Sequence, residues 1–213
     1  MSRLPNAAGR FYRPEAGHLP GLLIWGSGTT VQFFFDALIS IVGVAVVAQY
    51  SWSLRAHFAS KSLPGGTILI SVMVVVTTLA FLYFQWSVEQ PLLAAFVGLV
   101  VMLASLALFW AAIFASREAR LRLAFDAENP DSLVTEGPYR YLRHPFYTSY
   151  LVFWAGWAVA IWSAWTLPFL GFILLVYTLA ARGEERKFSN SPLGPQYEEY
   201  RRRTGFFWPR MRA

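Results

Sequence analysis

Gly137-Pro138-Tyr139-Arg140-Tyr141-Leu142-Arg143-His144-Pro145-Phe146-Tyr147 leads into 36 residues without a charge, Phe146 to Ala181, and the run closes on Arg182-Gly183-Glu184-Glu185-Arg186. One membrane helix needs about 20 apolar residues, so the run is too long for one and just long enough for two short helices joined by a tight turn. The turn falls at Ser163-Ala164-Trp165-Thr166-Leu167-Pro168, because proline disfavours helical geometry at the residue before it. Such a hairpin returns both charged ends to one membrane face. It sets Arg143 and His144 against Glu184 and Glu185, which are distant in sequence.

The rest of the chain agrees with a membrane setting. Of 213 residues, 56% are hydrophobic and 14% are charged, against the roughly 25% charge of soluble domains. Working back from the hairpin, apolar spans are predicted at Pro91–Ala115, Ile68–Trp86 and Phe33–Trp52. Pro91 suits a first helical turn, where its missing N–H is not needed. The predicted fold is therefore all-α, a polytopic membrane protein with about five transmembrane helices, the last two forming the hairpin. Residues 1–213 read as a single integral membrane domain, with three N-terminal spans in 29–115 and the hairpin and C-terminal tail in 130–213. Asp36, near the start of the first span, is expected at the membrane interface rather than in a buried contact. Met1 to Gly28 is broken by Pro5, Pro14 and Pro20, with Leu22 to Trp25 too short to cross a bilayer. This segment does not resemble a cleaved signal peptide.

All 18 Lys and Arg residues lie outside the five spans. Basic loops favour the cytoplasmic side, which puts the connector with Arg55 and Lys61, the loop Ser116 to His144 and the C-terminal tail inside. Arg3, Arg10 and Arg13 then fall outside, against the trend. The location expected is an inner, cytoplasmic membrane with the Arg143–Glu185 face toward the cytoplasm. The net charge of +6 is spread over these loops without a basic, aromatic-interleaved surface, so no nucleic-acid partner is expected. Cysteine is absent, which excludes disulfides, thiolate metal sites and cysteine nucleophiles.

The hairpin ends gather a guanidinium, an imidazole, two carboxylates and several tyrosines. Arg143 has the shape to grip a carboxylate or phosphate. Glu184 or Glu185 can accept from an ammonium or from ribose hydroxyls, and Tyr139, Tyr147 and Tyr197 offer rings to a heterocycle or cation. The set suits a zwitterionic small molecule with an aromatic part, whereas one histidine and two adjacent glutamates lack zinc-ligand spacing. Taken singly, each group also has an ordinary reading: Arg143 and His144 as interfacial anchors, Glu184 and Glu185 as a self-neutralising helix end, the tyrosines as an aromatic belt. Their joint placement is what raises the functional one.

Thr135, Gly137-Pro138-Tyr139-Arg140, Arg143-His144-Pro145, Tyr147, the apolar hairpin, Arg182, Glu184-Glu185, Gly194, Tyr197, Tyr200 and Pro209 together resemble the isoprenylcysteine carboxyl methyltransferase family. The broader group includes phospholipid methyltransferases, and related elements occur in sterol reductases. The match runs over about residues 130 to 210. The resemblance implies an S-adenosylmethionine site open to the cytoplasm, built from Tyr139, Arg143, His144, Pro145, Tyr147, Glu184, Glu185 and Tyr197, with no metal and a lipid-like or membrane-partitioning methyl acceptor arriving from the membrane. Arg143 is expected to pair with the donor's carboxylate and Tyr147 to lie near adenine or sulfonium.

Two departures stand out. Ser149 replaces a residue that is often glycine in the family, a mild change. Phe206 replaces a commonly basic residue before Pro209, which weakens carboxyl methylation as the specific reaction; Arg201, Arg202 or Arg203 would take over orientation of the acceptor, and Arg201 and Arg202 are assigned the catalytic role. The alternatives left open are a phospholipid amine or small-thiol methyltransferase, a nicotinamide-dependent reductase like the sterol group, and a non-enzymatic membrane scaffold or transport component. Membrane lipids are expected partners, and oligomeric state is open.

Overall fold

The computed structural model describes residues 27–57, 65–120 and 133–210. The expected irregular segment at Met1 to Gly28, apart from Ser27 and Gly28, which are helical, most of the connector Arg55 to Gly66 and the turn at Asn129 to Ser132 lie outside the described residues. Six α-helices follow in order: α1 Ser27–His57, α2 Gly65–Ser87, α3 Leu92–Arg120, α4 Pro145–Ile161, α5 Leu167–Ser189 and α6 Gly194–Arg203. Short 3-10 turns at Gly137–Arg140 and Ala164–Thr166 lead into α4 and α5. Among the described residues there is no β-strand, and the polytopic all-α expectation holds.

Among the described residues, four segments are long and apolar enough to cross a membrane: Thr30–Trp52, Ile68–Ser87, Leu92–Ser116 and Ala164–Ser189. The fifth expected span, α4, has 17 residues. At 1.5 Å per residue it is a few ångströms short of the roughly 30 Å hydrocarbon layer. Its composition is explained by its place: Phe153, Trp154, Trp157, Ala160 and Ile161 are all buried. α4 is the axis on which the other helices pack, apolar because protein rather than lipid surrounds it.

The tightest contact is between α3 and α4. A Cβ on Gly98 would stand 2.5 Å from both Ala160 N and Gly156 O, and one on Gly156 would stand 2.9 Å from Met102 N. The two glycines let the backbones touch, as small residues do where membrane helices associate without a hydrophobic driving force. Around them Phe81 meets Trp154 and Trp157 edge to face at 5.5 and 5.7 Å, and Trp154 stacks on Trp157 at 5.9 Å.

The hairpin turns where the sequence predicts. The α4 end is set by Trp162 in the left-handed conformation, φ 52° and ψ 39°, its N–H reaching Ala158 O and Val159 O. No glycine takes that position. Ser163 then leads into the 3-10 turn, held by Thr166 Oγ1 donating to Ser163 O at 2.7 Å, and Pro168 sits in the first turn of α5.

Asp36 corrects an expectation. It is buried rather than interfacial, and its Oδ1 accepts from Gln32 Nε2 at 3.3 Å, Gln85 Nε2 at 2.9 Å and Gln90 Nε2. These residues come from the start of α1, the end of α2 and the turn before α3. They fasten the bundle at the end opposite the Arg143–Glu185 face. A carboxylate surrounded by carboxamide donors retains hydrogen bonds after leaving water, which is what a buried charge requires.

Candidate active site at the hairpin ends

The hairpin brings Arg143 and His144 onto Glu185, as the sequence predicts. Arg143 Nε donates to Glu185 Oε1 at 2.6 Å, with each side chain about a tenth exposed, 11% and 12%. His144 lies between the two carboxylates: Nε2 is 3.3 Å from Glu185 Oε1, and Nδ1 is 3.7 Å from Glu184 Oε2. Tyr147, one turn into α4, donates its hydroxyl to Glu184 Oε1 at 2.6 Å. Adjacent carboxylates thus have different partners. Glu185 carries the ion pair, while Glu184, with a side chain 43% exposed, holds a phenol.

The guanidinium of Arg143 is largely committed within the protein. Its Nη1 donates to Thr204 O at 2.6 Å and Arg201 O at 3.2 Å, capping carbonyls at the end of α6 that have no partner in their own helix. A positive charge is favoured at that negative end of the helix dipole. Arg143 also lies over the Phe206 ring, 5.5 Å from its centroid, and the His144 ring meets Phe206 at 5.0 Å. Where the family commonly has a basic residue, Phe206 therefore gives the existing cation an aromatic face.

The tail is bound back onto the entrance of α4 by main-chain contacts. Arg143 N donates to Gly205 O at 2.8 Å and Gly205 N to Tyr141 O at 2.9 Å, an isolated parallel bridge between Leu142 and Gly205. The Tyr200 hydroxyl donates to Tyr139 O at 2.8 Å and Leu142 O at 3.2 Å. Thr148 Oγ1 lies within bonding distance of His144 O at 3.0 Å and Phe207 O at 3.2 Å. Burial pushes the Tyr200 phenol up to about 12, with Arg143 and Thr204 opposing the shift.

Tyr197, stacked on Phe188 at 5.3 Å, is nearly fully buried, and its hydroxyl lies against the Glu185 carboxylate. Burial first, then the negative charge of nearby Glu185, raises its pKa far above that of a free phenol.

The structure thus brings Arg143, His144, Tyr147, Glu184, Glu185 and Tyr197 into one cluster. Pro145 is buried as the first residue of α4, and the Tyr139 carbonyl serves the tail. Arg201 and Arg202 stand apart on the exposed side of α6, where Arg201 Nη1 pairs with Glu198 Oε1 at 3.2 Å. Thr204, Gly205 and Phe206 join the site without having been read from the sequence as members of it. Thr204 and Gly205 act through main-chain atoms, which leave no side-chain signature.

A polytopic helical bundle with an ion-pair network at the open end of its last hairpin is the arrangement reached so far. Residues 93–194 match the phospholipid methyltransferase family, which falls in the isoprenylcysteine carboxyl methyltransferase-type group of membrane methyltransferases. The match begins in α3, so it takes in a span where the motif resemblance offered only hydrophobicity, and it ends at the first residue of α6. The chain is also 29% identical over 153 residues to the cobalt-zinc-cadmium resistance protein CzcN of Cupriavidus metallidurans, covering 68% of this chain and 63% of that protein. It therefore spans less than two thirds of that relative's length. No solved structure matches the chain.

Proposed function

We propose that this membrane protein is an S-adenosylmethionine-dependent methyltransferase acting on a lipid-like or membrane-partitioning acceptor, with its donor site facing the cytoplasm of an inner membrane. The observation that carries the proposal is the cluster at the hairpin ends, in which Arg143 holds Glu185 while the adjacent carboxylate, Glu184, is partly open beside the Tyr147 phenol. The group suits the donor. Glu184 offers polar atoms to an ammonium or to ribose hydroxyls, and the Tyr147 and Phe206 rings offer flat faces to adenine. Arg143 acts at one remove. With Nε on Glu185 and Nη1 on the tail carbonyls, it sets the shape of the site instead of gripping the donor's carboxylate.

The bound donor would supply an electrophilic methyl on a sulfonium. Methyl transfer demands alignment of nucleophile, carbon and sulfur together with exclusion of water. The chain's part is to hold the donor at the mouth of the bundle, with the tail folded across it and the apolar helices around α4 behind it. Cytoplasmic orientation is supported by the basic residues near this face, among them Arg140, Arg182, Arg186 and Lys187.

Calorimetry on detergent-purified protein tests the reading. Binding of S-adenosylhomocysteine with one site per chain is expected. Binding of NADPH instead would indicate the reductase alternative, and binding of neither would indicate a protein that keeps the fold without the cofactor. Arg201→Ala and Arg202→Ala should leave the affinity unchanged, because both side chains project from the exposed side of α6.

A further inference from the structure

Beside the ion-pair cluster, a cavity of about 60 Å³ lies between α1, α2, α4 and α5. Half-buried Val47, Ile70 and Val74 form its side toward the outer helices, and Tyr147, Tyr150 and Tyr177 its inner side. One water needs only about 10–15 Å³ of this kind of volume, so the cavity has room for the reacting end of a molecule. Tyr147 belongs to both places: its ring lines the cavity, and its hydroxyl donates to Glu184 Oε1 at 2.6 Å.

We infer that Tyr147 and Glu184 form a proton relay from this cavity, and that the acceptor is a membrane-partitioning molecule with a small protic nucleophile, a thiol or hydroxyl. The inference rests on the methyl-donor reading above. The single proton of the Tyr147 hydroxyl is committed to Glu184, so a group in the cavity that reaches the Tyr147 oxygen meets a hydrogen-bond acceptor. That suits an S–H or O–H, whose proton the oxygen can take. In the reaction, the acceptor's sulfur or oxygen bonds to the methyl carbon as the donor's sulfur–carbon bond breaks, its electron pair remaining on sulfur. The acceptor's proton passes to the Tyr147 oxygen while the Tyr147 proton passes to Glu184 Oε1. Tyr147 ends as it began, and Glu184 ends neutral. The phenolate, costly to form in a buried place, is never a separate species. His144 and Glu185 are the charged or titratable groups on the far side of Glu184, Lys187 is the nearest cation on its own helix, and Tyr150 and Tyr177 flank Tyr147.

The test uses two probes with the same alkyl chain: dodecanethiol, protonated at neutral pH, and 4-dodecylthiophenol, whose aryl thiol is already ionised there. Labelled S-adenosylmethionine reports transfer, and S-adenosylhomocysteine calorimetry reports the donor site separately. The full-length wild type should methylate both thiols. Tyr147→Phe and Glu184→Gln, assayed at saturating S-adenosylmethionine, should lower transfer to dodecanethiol at least a hundredfold more than transfer to the thiophenolate, a ratio that weakening of the donor site leaves unchanged because it affects both probes alike. Glu184→Asp should recover part of the loss. Equal loss on both thiols, loss on neither, or no transfer by wild type to either while S-adenosylhomocysteine binds, overturns the relay. Absence of S-adenosylhomocysteine binding by wild type overturns the methyl-donor reading itself.

Discussion

Replacing Arg143 with alanine tests whether the ion pair holds the tail on the hairpin. The substitution removes the 2.6 Å contact to Glu185 and the bonds to Thr204 O and Arg201 O, and leaves Glu185 with the His144 ring and the Tyr197 hydroxyl beside it. Breaking a buried pair by deleting one partner costs about 3–5 kcal/mol. With each side chain still about a tenth exposed, the lower end applies, about 3 kcal/mol. At about 1.4 kcal/mol per factor of ten, the population of tail-detached molecules should rise roughly a hundredfold. Hydrogen exchange reads this directly. The amides at positions 143 and 205, bonded to Gly205 O and Tyr141 O, should exchange about a hundred times faster, while those of α3 and the middle of α4 should not change. Because most of the cost is an orphaned carboxylate, the double variant Arg143→Ala/Glu185→Ala should exchange more slowly than Arg143→Ala alone. Exchange at both amides within threefold of wild type in Arg143→Ala, or a double variant whose losses simply add, would refute the latch.

Other expectations follow from single contacts. Gly98→Ala should lower the melting temperature in detergent at a cost of at least about 1–3 kcal/mol, because the new methyl meets backbone atoms of α4 at 2.5 Å; an unchanged melting temperature would contradict the close α3–α4 approach. Asp36→Leu strands three glutamine donors and should cost about 2 kcal/mol or more, whereas Asp36→Asn keeps an acceptor oxygen and should cost less than half as much by the same melting assay. The Tyr200 phenol, raised from 10 to about 12 in the folded protein, supports tail docking fully below pH 10 and loses that support as pH climbs toward 12. Trypsin cleavage after Arg201 to Arg203 should therefore accelerate across that window in the wild type, and Tyr200→Phe should show the acceleration neither in degree nor in position.

The placement of the hairpin was legible because two strong signals coincide in it, a charge-free run too long for one helix and a proline at its middle. The meeting of Arg143 and His144 with Glu184 and Glu185 follows from that geometry alone. The central position of α4 was not legible, since Phe153, Trp154 and Trp157 would read the same facing lipid as facing protein. Asp36 was misplaced for a related reason: its partners Gln85 and Gln90 are carboxamides in later segments, and nothing local to α1 announces them. Arg143 shows the limit for chemistry. Its identity marks the site, but what it holds includes two backbone carbonyls of the tail, which any residue at 201 or 204 would provide.

The Leu142–Gly205 bridge has a consequence for biosynthesis. Synthesis runs from the N-terminal side onward, so α1 through α5 are made before Gly205. Until Gly205, Phe206 and Phe207 have been made, the entrance to α4 lacks its tail partners and the guanidinium of Arg143 has no helix end to cap. A product stopped between α5 and Gly205 would thus be inserted and helical yet lack the closed site. The last step of assembly takes place in water, after the lipid-facing work is done.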